Sequence, residues 1–178
     1  PDYGKIVNRR HFDRINGLID RDKVVYGGLS DPDALRIEPT ILDGVSWDDA
    51  AMGEEIFGPV LPVVTFDSLD EALSIIDSRP HPLALYFFSS DRARIRRVLS
   101  TARFGGGCIN DTIIHLATDQ MPFGGVGESG MGGYHGRAGF ETFSHFKSIV
   151  DKKTWLDLPM RYPPYTQKKD RLIRRFLK

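Results

Sequence analysis

Apolar positions along the chain alternate between helical and extended spacing, and their order outlines an α/β fold. Phe12, Ile15, Leu18 and Ile19 recur at helical spacing with His11 and charged residues between them, which predicts a helix over residues 3–20. Residues 23–26 read as a short strand stopped by Gly27 and Gly28. Residues 37–45 read as an extended stretch in which Pro39 argues for an edge or irregular position. Residues 60–66 are apolar and β-branched, the pattern of a strand buried on both faces. Ser68-Leu69-Asp70-Glu71 forms a capping box that opens a helix running to Ser78, since Ser68 can accept from an amide three residues on while Glu71 reaches back. A second buried strand is expected over residues 83–88. A helix over residues 91–102 follows, with Ile95, Val98 and Leu99 inward and four arginines largely outward, then a third short strand over 106–110. This β-α-β-α-β order argues for a parallel, right-handed unit.

Residues 124–136 form a glycine-rich loop, 137–142 a short helix and 146–151 a final strand candidate. Beyond Trp155, the prolines at 159, 163 and 164 give an extended tail ending in the basic run 168–178, whose apolar and basic residues could form a short amphipathic surface helix. The 178 residues suit one domain. Lys plus Arg equals Asp plus Glu at 24 each, so no overall field draws the chain to nucleic acid. Arg92, Arg94, Arg96 and Arg97 accordingly read as one solvated helix face. The single cysteine excludes an internal disulfide framework and fits a reducing, cytoplasmic location. No apolar stretch approaches the roughly 20 residues needed to span a bilayer. No signal peptide is expected ahead of Pro1, and a start at Pro rather than Met is read as an excised segment or processed product.

The candidate chemistry begins at Glu54-Glu55-Ile56-Phe57-Gly58-Pro59. A carboxylate can accept two hydrogen bonds from a sugar diol, and a ring two residues on can support a planar heterocycle. Gly125-Val126-Gly127-Glu128-Ser129-Gly130 is formally a G-x-G-x-x-G, but no strand is expected directly before it and Glu128 would set a negative charge beside a phosphate. Its glycines therefore read as permitting unusual backbone angles and close approach. Cys108 follows three glycines into an expected buried strand and reads as structural. His11, His81, His115, His135 and His145 are scattered without a metal-binding spacing, so no metal site is assigned.

Taken together, Glu54-Glu55-Ile56-Phe57-Gly58-Pro59 and Pro122-Phe123-Gly124-Gly125-Val126-Gly127-Glu128-Ser129-Gly130 resemble the cofactor-side and C-terminal signatures of the NAD(P)-dependent aldehyde dehydrogenases. The flanking sequence is most similar to their class 3, fatty and aromatic aldehyde branch. The resemblance implies the C-terminal part of a parallel-sheet catalytic domain over residues 1–144, an oligomerisation strand segment at 145–158 and a basic tail at 159–178. It implies that Glu55 matches the carboxylate holding the nicotinamide ribose hydroxyls and Phe57 the ring bounding the nicotinamide, with NAD or NADP as cofactor. Asn110, Phe123, Tyr134 and His135 would lie in the active-site neighbourhood. The family's nucleophilic cysteine and glutamate base match segments upstream of this chain, so no catalytic residue is assigned here and the isolated chain is expected to be inactive. The complete enzyme would oxidise an aldehyde to a carboxylic acid. A homo-oligomer and weak membrane-surface contact by the tail are the expected associations, with no nucleic-acid partner. The competing reading is a non-enzymatic scaffold or oligomerisation module derived from this family.

Overall fold

A computed structural model describes residues 3–177. The first helix, α1, spans Arg9–Gly17 and is shorter than the pattern predicts. Asn8 starts it, accepting through its side-chain oxygen from the His11 amide at 2.9 Å. Upstream of that cap the Ile6 amide is committed to the Leu35 carbonyl at 2.8 Å, so the backbone there cannot join the helix.

After α1 come β1 (Val24–Tyr26), β2 (Ser30–Asp31), β3 (Arg36–Ile37), β4 (Thr40–Leu42) and β5 (Val60–Pro62). Strands β2 and β3 pair as a short antiparallel hairpin. The other three form one sheet in the order β1-β4-β5, with β1 antiparallel and β5 parallel to β4. Pro39 sits at the break between β3 and β4, as its missing donor requires. Helix α1 lies over this sheet, and Phe12, Ile15, Ile19, Ile37, Leu42, Val45, Ala51 and Val60 make one contiguous core.

The strand expected over 60–66 differs from its pattern. Only three residues pair, β5 is an edge, and Leu61 is 60% exposed. Pro62 supplies no amide for a second neighbour, while Val63 still donates to Leu42 at 2.8 Å.

Helix α2 (Leu69–Asp77) opens as its sequence predicts, with Ser68 Oγ accepting from the Glu71 amide at 3.1 Å. The Glu71 carboxylate reaches back one residue further than expected, to the Asp67 amide at 2.8 Å. Next come β6 (Ala84–Phe87), helix α3 (Arg92–Thr101) and β7 (Gly106–Ile109), with β6 and β7 parallel. The Asp91 carboxylate caps α3 by accepting from the amides of Arg94 and Ala93, and these bonds hold its pKa below the usual carboxylate value. Ile95 and Val98 are buried on α3, but Leu99 is half exposed because the buried stripe is only two residues wide. No ladder joins β5 to β6 among the described residues. The expected single parallel unit is therefore two parallel pairs, β4-β5 and β6-β7. Both β6 and β7 are only partly buried rather than enclosed on both faces.

Loop 124–135 leads into α4 (Gly136–Thr142). No strand forms over 146–151 among the described residues, and Val150 is 92% exposed. An extended segment becomes a strand only when another backbone completes its ladder, and none lies alongside. The tail is less extended than its prolines suggest. It carries a 3-10 turn over Pro159–Arg161 and a helix α5 (Gln167–Phe176) capped by Thr166.

The accessible surface is 13899 Å², against about 8,700 Å² for a compact monomer of the same mass. Much of the excess is apolar, including Phe140, Phe143, Phe146, Ile149 and Val150 in one stretch. Surface of this kind drives association, and a formal net charge of zero offers little repulsion against it. The free chain is expected to self-associate. Light scattering across a dilution series should give a mass above the monomer that falls on dilution, and a constant monomeric mass would contradict this.

Candidate functional site

Loop 54–58 links a 3-10 turn at Ala50–Met52 to β5 and is seated on α1. A side chain added at Gly58 would lie 2.8 Å from Ile15 Cδ1 and 2.9 Å from its Cγ2, so only glycine lets the loop settle onto the helix. Arg14, beside Ile15, donates to the Ile56 carbonyl at 2.7 Å and to Glu54 Oε1 at 2.9 Å. Phe57 has φ 47°, a left-handed conformation that costs a non-glycine residue roughly 1–2 kcal/mol. The residue is 78% exposed. The Glu55 side chain is also exposed, and its carboxylate has no hydrogen-bond partner among the described residues. A free bidentate acceptor thus sits two residues from a free aromatic face on a braced loop. The loop lies at the N-terminal end of β5, so the usual placement of ligands beyond carboxyl ends of strands does not apply to it.

The other four candidates fall into two places. Asn110, just past β7 at φ 59°, accepts through Oδ1 from the Ser89 amide at 2.7 Å and donates through Nδ2 to the Ser89 carbonyl at 3.0 Å. Its amide is spent on tying the ends of β6 and β7 together. Phe123 and Tyr134 exchange amide-to-carbonyl bonds of 2.9 Å in both directions, and their rings meet edge-on at 5.6 Å. The His135 ring lies 4.5 Å from that of Tyr134 and 6.2 Å from that of Phe123, and its Nδ1 is 3.2 Å from the Met121 carbonyl oxygen. No hydrogen bond or ring contact among the described residues joins this cluster to Glu55 and Phe57.

His115 carries no local sequence signal beyond its place in an apolar run, yet it is buried between Tyr86 and Phe123. Its Nδ1 is 3.6 Å from Cys108 Sγ, and its buried Nε2 has no partner among the described residues. Cys108 lies on β7, partly buried, in the wall of an open groove of about 560 Å³.

The glycine-rich loop is built by close backbone approach. A Cβ at Gly124 would lie 2.2 Å from the Gly132 oxygen, and one at Gly125 would lie 2.1 Å from the Ser129 oxygen. Only a three-residue 3-10 turn, Gly127–Ser129, forms inside it, and Ser129 Oγ is occupied with the backbone of Val126. No helix opens within the motif to aim amides at a phosphate. On α3, Arg94 pairs with Asp91 at 3.5 Å and Arg97 with Asp70 at 3.0 Å, both at the surface. Among the described residues no group of three or more His, Cys, Asp or Glu is placed to hold a metal, and no helix is long and apolar enough to cross a membrane.

Comparison with known proteins matches residues 1–149 to the aldehyde dehydrogenase family model. The chain is 52% identical over 170 residues to the 4,4'-diaponeurosporen-aldehyde dehydrogenase of Staphylococcus aureus, covering 94% of this chain and 37% of that protein. It is 47% identical over 177 residues to aldehyde dehydrogenase family 3 member H1 of Arabidopsis thaliana, covering 97% and 37%. Among solved structures, the substrate-bound state of Staphylococcus aureus AldH superposes with a TM-score of 0.89 at 51% identity, over 100% of this chain and 39% of that one. A betaine aldehyde dehydrogenase variant from Staphylococcus aureus, in complex with NAD+, gives 0.72 at 26% identity over 88% and 34%. The chain therefore spans little more than a third of the length of these relatives. On its sequence and its fold alike, this chain belongs to the aldehyde dehydrogenase family.

Proposed function

We propose that this chain supplies the nicotinamide-ribose side of an NAD(P) site in an enzyme that oxidises an aldehyde to a carboxylic acid. The observation that carries this reading is the unpartnered Glu55 carboxylate beside the exposed Phe57 ring on a loop braced by α1. The donor set fits the group: a carboxylate accepts from two vicinal hydroxyls, and a ring face bounds a planar heterocycle. NAD+ or NADP+, when bound, supplies the hydride acceptor. Glu55 would hold the ribose hydroxyls, and Phe57 would limit where the ring can lie. The relative solved with NAD+ belongs to the same family and supports this choice of cofactor class.

Phe123, Tyr134 and His135 would form one wall of the active-site neighbourhood, and Asn110 would stiffen the strand ends behind it. Residues 145–158 would contribute to a homo-oligomer. Helix α5, with Phe176 and Leu177 exposed among lysines and arginines, would make weak contact with a membrane surface. The only cysteine, Cys108, sits against His115 on β7, remote in contacts from the Glu55 loop, and is not the nucleophile in this reading. A second reading, an assembly module without catalytic activity, draws on the large exposed apolar surface. Cofactor binding separates the two.

In the full-length enzyme, Glu55→Ala should weaken cofactor affinity roughly 10–100-fold, equivalent to about 1.5–3 kcal/mol for a lost charged acceptor. Glu55→Gln should lose less, because an amide oxygen still accepts. Titration of NAD+ and NADP+ measures both, and an unchanged Glu55→Ala would return this residue to an ordinary turn. The 178-residue chain alone, given aldehydes with either cofactor, should form no reduced cofactor above a protein-free control. Turnover that Cys108→Ser abolishes would overturn that expectation.

A further inference from the structure

We infer that Arg14 is a positioning residue for the cofactor loop, holding Glu55 and Phe57 in their working orientation from the last turn of α1. This rests on the assignment of Glu55 and Phe57 to the nicotinamide ribose. Arg14 Nη2 donates to the Ile56 carbonyl at 2.7 Å, and Nη1 donates to Glu54 Oε1 at 2.9 Å and reaches the Glu55 carbonyl at 3.4 Å. One planar guanidinium therefore spans two successive peptide carbonyls, with a carboxylate neutralising it.

Those carbonyls are the ones that matter for the site. The orientation of the Ile56 oxygen fixes the peptide plane between Ile56 and Phe57, and that plane sets φ of Phe57. Phe57 has φ 47°, a region a non-glycine residue leaves unless its surroundings hold it there. Without that hold, Phe57 would be free to relax from its φ of 47° to a commoner backbone conformation, and the short loop that carries its ring and the Glu55 carboxylate would shift with it. Ile15, the next residue on α1, is completely buried and fills the space under Gly58, so the helix grips the loop at two adjacent points. The Arg14 side chain is 26% exposed and its bond to the Ile56 carbonyl is partly buried, whereas the bonds to Glu54 and to the Glu55 carbonyl lie at the surface. Arg14 itself touches no ligand in this scheme. It acts through the loop.

A lysine offers one compact ammonium and cannot bridge both carbonyls and the carboxylate in a fixed plane. Arg14→Ala should therefore be worse than Arg14→Lys, while Glu54→Gln, which keeps both carbonyl bonds, should be much milder than either. In the full-length enzyme Arg14→Ala is expected to raise the cofactor Kd about 10-fold and leave the aldehyde KM near its original value. Hydrogen exchange should speed up for amides 54–58 while the α1 amides around Phe12 and Ile15 stay protected, which separates a loosened loop from a misfolded helix. Partial recovery of cofactor affinity in Arg14→Lys would support the inference. A cofactor Kd unchanged in Arg14→Ala, in a protein where Glu55→Ala does weaken binding, would overturn Arg14's role and leave the Glu55 assignment standing. If Glu55→Ala itself has no effect, the assignment falls and Arg14's positioning role falls with it. Equal losses in cofactor Kd and aldehyde KM, with deprotected α1 amides, would reduce Arg14 to a general stability residue.

Discussion

Ile15 against Gly58 is the contact on which the N-terminal half of this chain depends. Ile15 is fully buried in the last turns of α1, and its side chain occupies the volume a Cβ on Gly58 would need. Replacing a buried isoleucine by alanine in a core of this kind costs about 2–5 kcal/mol. Here the same contact also sets the height of the Glu55 loop above the helix. Val60, two residues beyond Gly58, enters the shared core with Phe12 and Leu42, so the loop is fixed at one end by β5 and beneath by α1. A loop braced this way would change little in shape and give up little entropy if it binds the cofactor as proposed.

The second half of the chain is organised by backbone rather than by a large core. Gly105, Gly107, Gly124 and Gly125 are positions at which a side chain would collide with the backbone of a neighbouring strand or loop, and the Phe123–Tyr134 bridge closes the loop they serve. Close backbone packing aligns the rings of Phe123, Tyr134, His135 and His115 without burying much apolar area. The cost appears at the surface. The sheets are small, their edges are open, and the segment after α4 is apolar and unpaired. A chain covering little more than a third of its relatives' length, with these faces exposed, fits one part of a larger packed body.

Short-range signals in the sequence mark much of this fold. The stripe of Phe12, Ile15 and Ile19 identifies the buried face of α1, and Ser68 and Glu71 mark the start of α2 through bonds that the structure contains. Periodicity alone extends α1 back to residue 3, whereas Asn8 is itself a capping signal that stops it. The β2-β3 hairpin was also open to reading, because Asp31 closes its turn by accepting from the amides of Asp33 and Ala34. Other features depend on tertiary partners that no local pattern encodes. Apolar residues at 60–66 and 146–151 favour strands, but pairing stops at Pro62 in one case and never starts in the other. For the candidate site, Glu55, Phe57 and the Phe123–His135 group are visible as motifs. Arg14 and His115 emerge only when residues 42 and 7 positions away fold back against them.

A double-mutant cycle between Arg14 and Glu55, read as cofactor Kd in the full-length enzyme, tests the central claim that α1 acts on the cofactor through the loop. If Arg14 works by holding Glu55 and its neighbour Phe57 in place, much of its effect should vanish once Glu55 is already alanine. The losses from the single variants should then exceed the loss in the double variant by clearly more than the roughly 0.3–0.5 kcal/mol within which independent sites add. Additive losses within that margin would mean that the two residues act separately, and would contradict the account.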